Sequence, residues 1–111
     1  MSKLPEQFTP DYVQTLLLRA AGSKIIASVE RDSGYQYRVK IRGVAPAGAL
    51  VFVAFTAKDL EGAAGVIPGR CFVVPVGQSE EFVVSPGQDL VARSNVNDVS
   101  VSISAGVKWP I

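Results

Sequence analysis

The residue pattern predicts a mainly β chain, folded as a single antiparallel β-sandwich or jelly-roll-like domain of about seven or eight short strands. Three observations carry that expectation. From Lys24 onward apolar residues recur at every second position, turn-forming residues separate the apolar runs at short intervals, and no helical period intervenes. The composition agrees with one domain. A chain of 111 residues, 48% hydrophobic and 19% charged, can bury a modest core and is too apolar to stay disordered.

The elements follow in order. Residues 1–9, with Pro5 and no periodicity, read as an extended arm, and the sandwich domain occupies residues 10–111. Thr9, Pro10 and Asp11 supply an N-cap, a first-turn proline and a first-turn acid, followed by Val13, Leu16, Leu17 and Ala20 at helical spacing. That predicts a short helix over residues 10–21, with Gly22 beyond its end. The competing reading is a first strand over residues 15–20, turned by Ala21, Gly22 and Ser23.

Beyond this point the period is two. Ile25, Ala27 and Val29 alternate with more polar neighbours, Asp32, Ser33 and Gly34 offer a turn, and Tyr35, Tyr37, Val39 and Ile41 then alternate with Gln36, Arg38, Lys40 and Arg42. The pair reads as a half-buried hairpin with both tyrosines facing inward. Residues 49–57 are apolar on both faces, with Val51, Val53 and Phe55 on one and Leu50, Phe52 and Ala54 on the other. Such a strand needs cover on both sides. Residues 58–69, broken by Gly62, Gly65, Pro68 and Gly69, read as a long contact-making loop. Four further strands are expected over residues 71–76, 80–85, 90–94 and 99–105, and the last points Val99, Val101 and Ile103 one way and Ser100, Ser102 and Ser104 the other.

Several function classes lose support. The chain has no histidine, which removes the usual general base, the commonest metal ligand and every imidazole-dependent triad. A net charge of +1 is no footprint for a run of phosphates, so dedicated nucleic-acid binding is not expected. Cys71 stands alone and opens an apolar run, so neither an intrachain disulfide nor a cysteine zinc site is available. Glu80 and Glu81 are adjacent on a strand, point to opposite faces and cannot act together on one sugar. The spacing of Gly62, Gly65 and Gly69 matches neither the dinucleotide fingerprint nor the P-loop, and Asn95, Asn97 and Asp98 read as a hairpin turn before a calcium site. No apolar run approaches the ~20 residues of a membrane-spanning helix, and Glu6 and Asp11 interrupt any signal-peptide hydrophobic region. No enzyme activity, cofactor, metal or membrane association is expected.

What remains is architecture. The runs FVVPVG, SEEFVVSPGQDLVARS and VSVSISAG, spread over residues 66–105, resemble the small β-sandwich virion proteins of tailed bacteriophages. In those chains an apolar strand ends in a Pro/Gly turn, an acidic-apolar strand meets a Pro-Gly turn, and a Ser/Val strand closes the domain. The resemblance implies a capsid decoration or cement protein of the virion, assembled in the host cytoplasm, with a major capsid protein and further copies of itself, as trimer or dimer, for partners. A mean hydropathy of +0.26 with so few charges points the same way, toward apolar surface covered by another chain. The candidate contact residues are Leu4 and Phe8 of the arm, the same-face row Arg38, Lys40 and Arg42, and Trp109 near the end. The row also reads as a solvated strand face that discourages edge pairing. The alternative function is a binding module for carbohydrate or a receptor, which calls for an aromatic platform among Tyr12, Tyr35, Tyr37 and Trp109.

Overall fold

Alternation of β-branched and polar residues becomes strand along most of the chain. The computed structural model describes residues 12–60 and 71–110, with the main chain alone at residues 12 and 107–110. In order come β1 (Tyr12–Leu18), β2 (Lys24–Ser28), β3 (Tyr35–Ala45), β4 (Leu50–Ala54), a 3-10 turn (Ala57–Leu60), β5 (Phe72–Pro75), β6 (Ser79–Val84), β7 (Asp89–Ser94) and β8 (Val99–Pro110). They form two four-stranded antiparallel sheets, sheet A in the order β1-β8-β3-β6 and sheet B in the order β2-β7-β4-β5. Among these elements only the β4–β5 connection stays within one sheet, and every other connection crosses the sandwich. That winding is a jelly roll.

The helix over residues 10–21 does not form where the chain is described. β1 pairs with β8 over its whole length, Tyr12 opposite Ala105 through Leu18 opposite Val99. Helical spacing and strand alternation overlap in a short apolar run, and the open edge of β8 decides between them through backbone hydrogen bonds. The expected hairpin is also corrected, because β2 pairs with β7 in sheet B while β3 pairs with β6 and β8 in sheet A. Asn95–Asp98 likewise joins two sheets rather than two partners of one hairpin. Turn chemistry marks where the chain reverses and is silent about which sheet it enters next.

Side chains sort by pleat. Val39, Ile41, Val51, Val53, Val84, Leu90, Val101 and Ile103 are at most 1% exposed between the sheets. In β2 the expected inward set shifts. A register irregularity between Ile25 and Ala27 buries Ile26 and leaves Ile25 58% exposed. Tyr37 packs on the core as expected, whereas Tyr35 is exposed at the strand's start. The double-faced strand is confirmed: Phe52 and Ala54 join Val91 and Leu60 in a second apolar cluster on the outer face of sheet B, with Leu50 and Cys71 against it. Leu60 of the 3-10 turn is that cluster's lid.

Candidate interaction surface

The two outer faces of the sandwich differ. Arg93, on the outer face of sheet B opposite Phe52, donates from Nε to the Ala20 carbonyl and from a terminal guanidinium nitrogen to the Leu60 carbonyl, each at 2.7 Å. It ties the β1–β2 turn and the 3-10 turn down over the second cluster, which covers the middle of sheet B's outer face, while Ile25 and Val73 on the same face stay exposed.

Sheet A is open, and register sets its outer face out in columns. On β1 stand Val13, Thr15 and Leu17, on β8 Ser104, Ser102 and Ser100 opposite them, and on β3 Lys40 and Arg42 opposite Ser104 and Ser102. β6 completes two of the rows with Glu81 opposite Lys40 and Ser79 opposite Arg42, and Val83 faces Arg38. An apolar column at one edge and a basic column near the other therefore flank a ladder of small hydroxyls. Val13 is 65% exposed and Leu17 53%. Strand pleating alone puts Arg38, Lys40 and Arg42 on one side, as the sequence reading expects. Arg38 Nε lies 3.9 Å from Glu81 Oε1, a long ion pair in which the Arg38 side chain is only 14% exposed and that of Glu81 47%, so of the row Lys40 and Arg42 are the open members.

A cleft of about 510 Å³ opens at one end of the sandwich, floored by Val39, Tyr37 and Ala105 and rimmed by Ser28, Glu30 and Tyr35. Among the described residues Glu30 is the sole carboxylate on its lining, and no amine, guanidinium or thiol accompanies it. Ser28 Oγ donates to the Asp89 carboxylate at 2.6 Å. The other acids are dispersed in local roles: Asp59 accepts from the Thr56 hydroxyl at the start of the 3-10 turn, and Asp98 faces Arg19 at 3.9 Å. No group of three or more metal-ligating side chains occurs among the described residues. Asn95 Oδ1 accepts from the Leu50 amide at 2.9 Å and Asn97 Oδ1 from the Ala20 amide at 3.0 Å, so these oxygens hold loops together. Cys71 is half-buried against the second cluster, and desolvation, with the Asp59 carboxylate nearby, raises its thiol pKa.

Leu4, Phe8 and residues 61–69 of the expected contact loop lie outside the described residues, as does the side chain of Trp109, whose main chain pairs with Gln36. Residues 58–60 fall in the 3-10 turn, not in a loop. The column Val13, Thr15 and Leu17 escapes the sequence reading because residues 10–21 read as a helix, and the competing strand over residues 15–20 takes in Thr15 and Leu17 but not Val13. Arg93 was missed because nothing in its local sequence announces two distant carbonyl partners.

No protein-family model and no curated protein matches the sequence. Among solved structures the fold is similar to a chain of the Bacillus endospore appendages, described as a novel family of disulfide-linked pili. The TM-score is 0.61 at 14% identity, over 90% of this chain and 84% of that one. At that identity the likeness shows the fold, a β-sandwich.

Proposed function

We propose that this chain is a non-enzymatic structural component of a phage particle, decorating or cementing the capsid through subunit contacts. One observation supports the reading most directly: the outer face of sheet A pairs an exposed apolar edge with a basic column and no reactive group. A rigid sandwich offers that face without an ordering cost, and a symmetric shell repeats a modest contact many times. The pilus-forming neighbour is a polymer-building user of the same fold, which is compatible with an assembly role. It differs in chemistry. One cysteine per chain permits a single intermolecular disulfide and so a linked pair at most, which leaves packing and strand contacts to hold any larger array.

The test is co-sedimentation of the purified full chain with phage shells stripped of accessory proteins. Saturation at a fixed ratio is expected, with loss of binding on deleting residues 2–8 or on changing Arg38, Lys40 and Arg42 together to Glu. The thermal transition should stay nearly unmoved in the deletion. Absence of any shell binding, together with saturable binding on a glycan array, would hand the function to the carbohydrate or receptor module.

A further inference from the structure

Among the described residues four strands form the edges of the two sheets: β1 and β6 on sheet A, β2 and β5 on sheet B. An edge presents unpaired N–H and C=O groups to any approaching strand, and folds guard such edges with charge, proline, bulges or brevity. β6 carries Glu80 and Glu81. β2 begins on Lys24 and is irregular between Ile25 and Ala27, while β5 is four residues long and ends on Pro75. β1 has none of these devices within its own residues; among the described residues its one guard is Lys24, whose Nζ donates to the Leu17 carbonyl at 3.4 Å and swings aside for a strand to pair there. Its seven residues, YVQTLLL, carry no charge and no proline, and they pair with β8 without a register shift.

We propose that β1 is a self-pairing edge, on which a second copy of this chain seats its own β1 antiparallel about a twofold axis at Thr15. Charge admits this at β1 and opposes it at β6, where a twofold gathers four glutamates, while the irregularity of β2 and the brevity and proline of β5 guard the other two edges. Side-chain order selects the axis. Centred on Thr15, the register sets Val13 against Leu17 of the second copy, Leu17 against its Val13, and Thr15 against its Thr15. Apolar pairs and a Thr–Thr pair are both favourable across strands, and they bury the two most exposed side chains of the column. Centring on Leu16 instead sets Val13 against Arg19. The product is one eight-stranded sheet running through two sandwiches, an isologous contact of the commonest symmetry. The inference rests on the assembly reading and deepens it by naming a second copy as the first partner.

A seven-residue edge is smaller than a standard stable interface, so the pair forms as concentration rises. Light scattering of the full chain should show the mass climbing toward twice 11.8 kDa. Thr15→Lys places two ammonium groups at the axis and should return the mass to one chain at the same concentration, with the thermal transition retained. In a Cys71→Ser background, Thr15→Cys should form a disulfide-linked pair under mild oxidation at least tenfold faster than Val13→Cys. This near-isosteric variant keeps the test decisive should the lysine disturb folding. A wild-type chain that stays at single-chain mass overturns the inference, as does equal cross-linking at positions 13 and 15. A larger mass that survives Thr15→Lys also overturns it while leaving the assembly reading intact, which the shell co-sedimentation tests separately.

Discussion

Gly43 and Val76 approach so closely that a β-carbon on the glycine would lie 2.8 Å from the valine Cα. The contact joins the sheets at the far end of β3, where the register against β8 shifts between Gly43 and Ala45. Gly43 N donates to the Gln78 carbonyl at 3.3 Å, and the Gly43 carbonyl accepts from Gly77 N at 2.9 Å. Because the obstacle is backbone held at both ends, it has little room to give. Gly43→Ala should destabilise the fold by about 1–3 kcal/mol through overpacking. Urea unfolding checks it: a midpoint unchanged from wild type would mean the turn at Gly77 shifts freely.

Arg93 supplies the second prediction. Its guanidinium spans from the Ala20 carbonyl to the Leu60 carbonyl, two points far apart in sequence. Arg93→Met keeps most of the stem while removing both charge-assisted bonds, and should cost about 2–4 kcal/mol. Arg93→Lys should recover less than half of that, since an ammonium is a point donor and cannot reproduce a planar fork. Hydrogen exchange adds a local readout, with the 3-10 turn amides losing protection before those of β8. Equal stability of Met and Arg variants would reduce the guanidinium to packing alone.

β4 and β8 were legible because their face assignments follow from pleat: Val51 and Val53 bury in the main core, Phe52 and Ala54 in the second cluster, and Ser100, Ser102 and Ser104 face outward opposite β1 and β3. Local pattern contains that information. It does not contain partner choice, so β2 and β3, adjacent in sequence and separated by good turn residues, were expected to pair and instead enter opposite sheets. For β1 the periodicity was ambiguous, and the free edge of β8 resolved it. The open face of sheet A was half legible: Arg38, Lys40 and Arg42 came from alternation within one strand, whereas Val13 and Leu17 needed a cross-strand register that no single strand encodes.

Pleat also gives a sharp paired prediction. Lys40 and Ile41 are neighbours in β3, yet Lys40 stands on the outer face opposite Glu81 and Ile41 is wholly buried opposite Ile103. Ile41→Ala should cost about 2–5 kcal/mol in transfer and cavity terms. Lys40→Ala should shift stability by no more than about 0.5 kcal/mol, as is usual for an open surface position. Thermal melts of the two variants provide the check. A comparable loss in both would mean that the outer face is packed against something in the isolated chain.

Cys71 gives a prediction that depends on pH. Its thiol sits against Phe52, Ala54, Leu60 and Val91, and desolvation first, then the Asp59 carboxylate, disfavours the thiolate and raises the pKa. The thiolate is the nucleophile, so alkylation by iodoacetamide at neutral pH should run slower than on the unfolded chain, and its rate should climb only above the ordinary thiol range. The stability sign follows from linkage. A group whose folded pKa is raised binds its proton more tightly when folded, so its contribution is complete below the unfolded pKa and is lost as pH rises through the folded one. Asp59→Asn removes the coulombic part while leaving the apolar contacts, and should move the midpoint of the rate profile down toward the ordinary value without reaching it. A midpoint unmoved by Asp59→Asn would assign the whole shift to desolvation, and one already at the ordinary value in the parent chain would show that the thiol is not held against the second cluster.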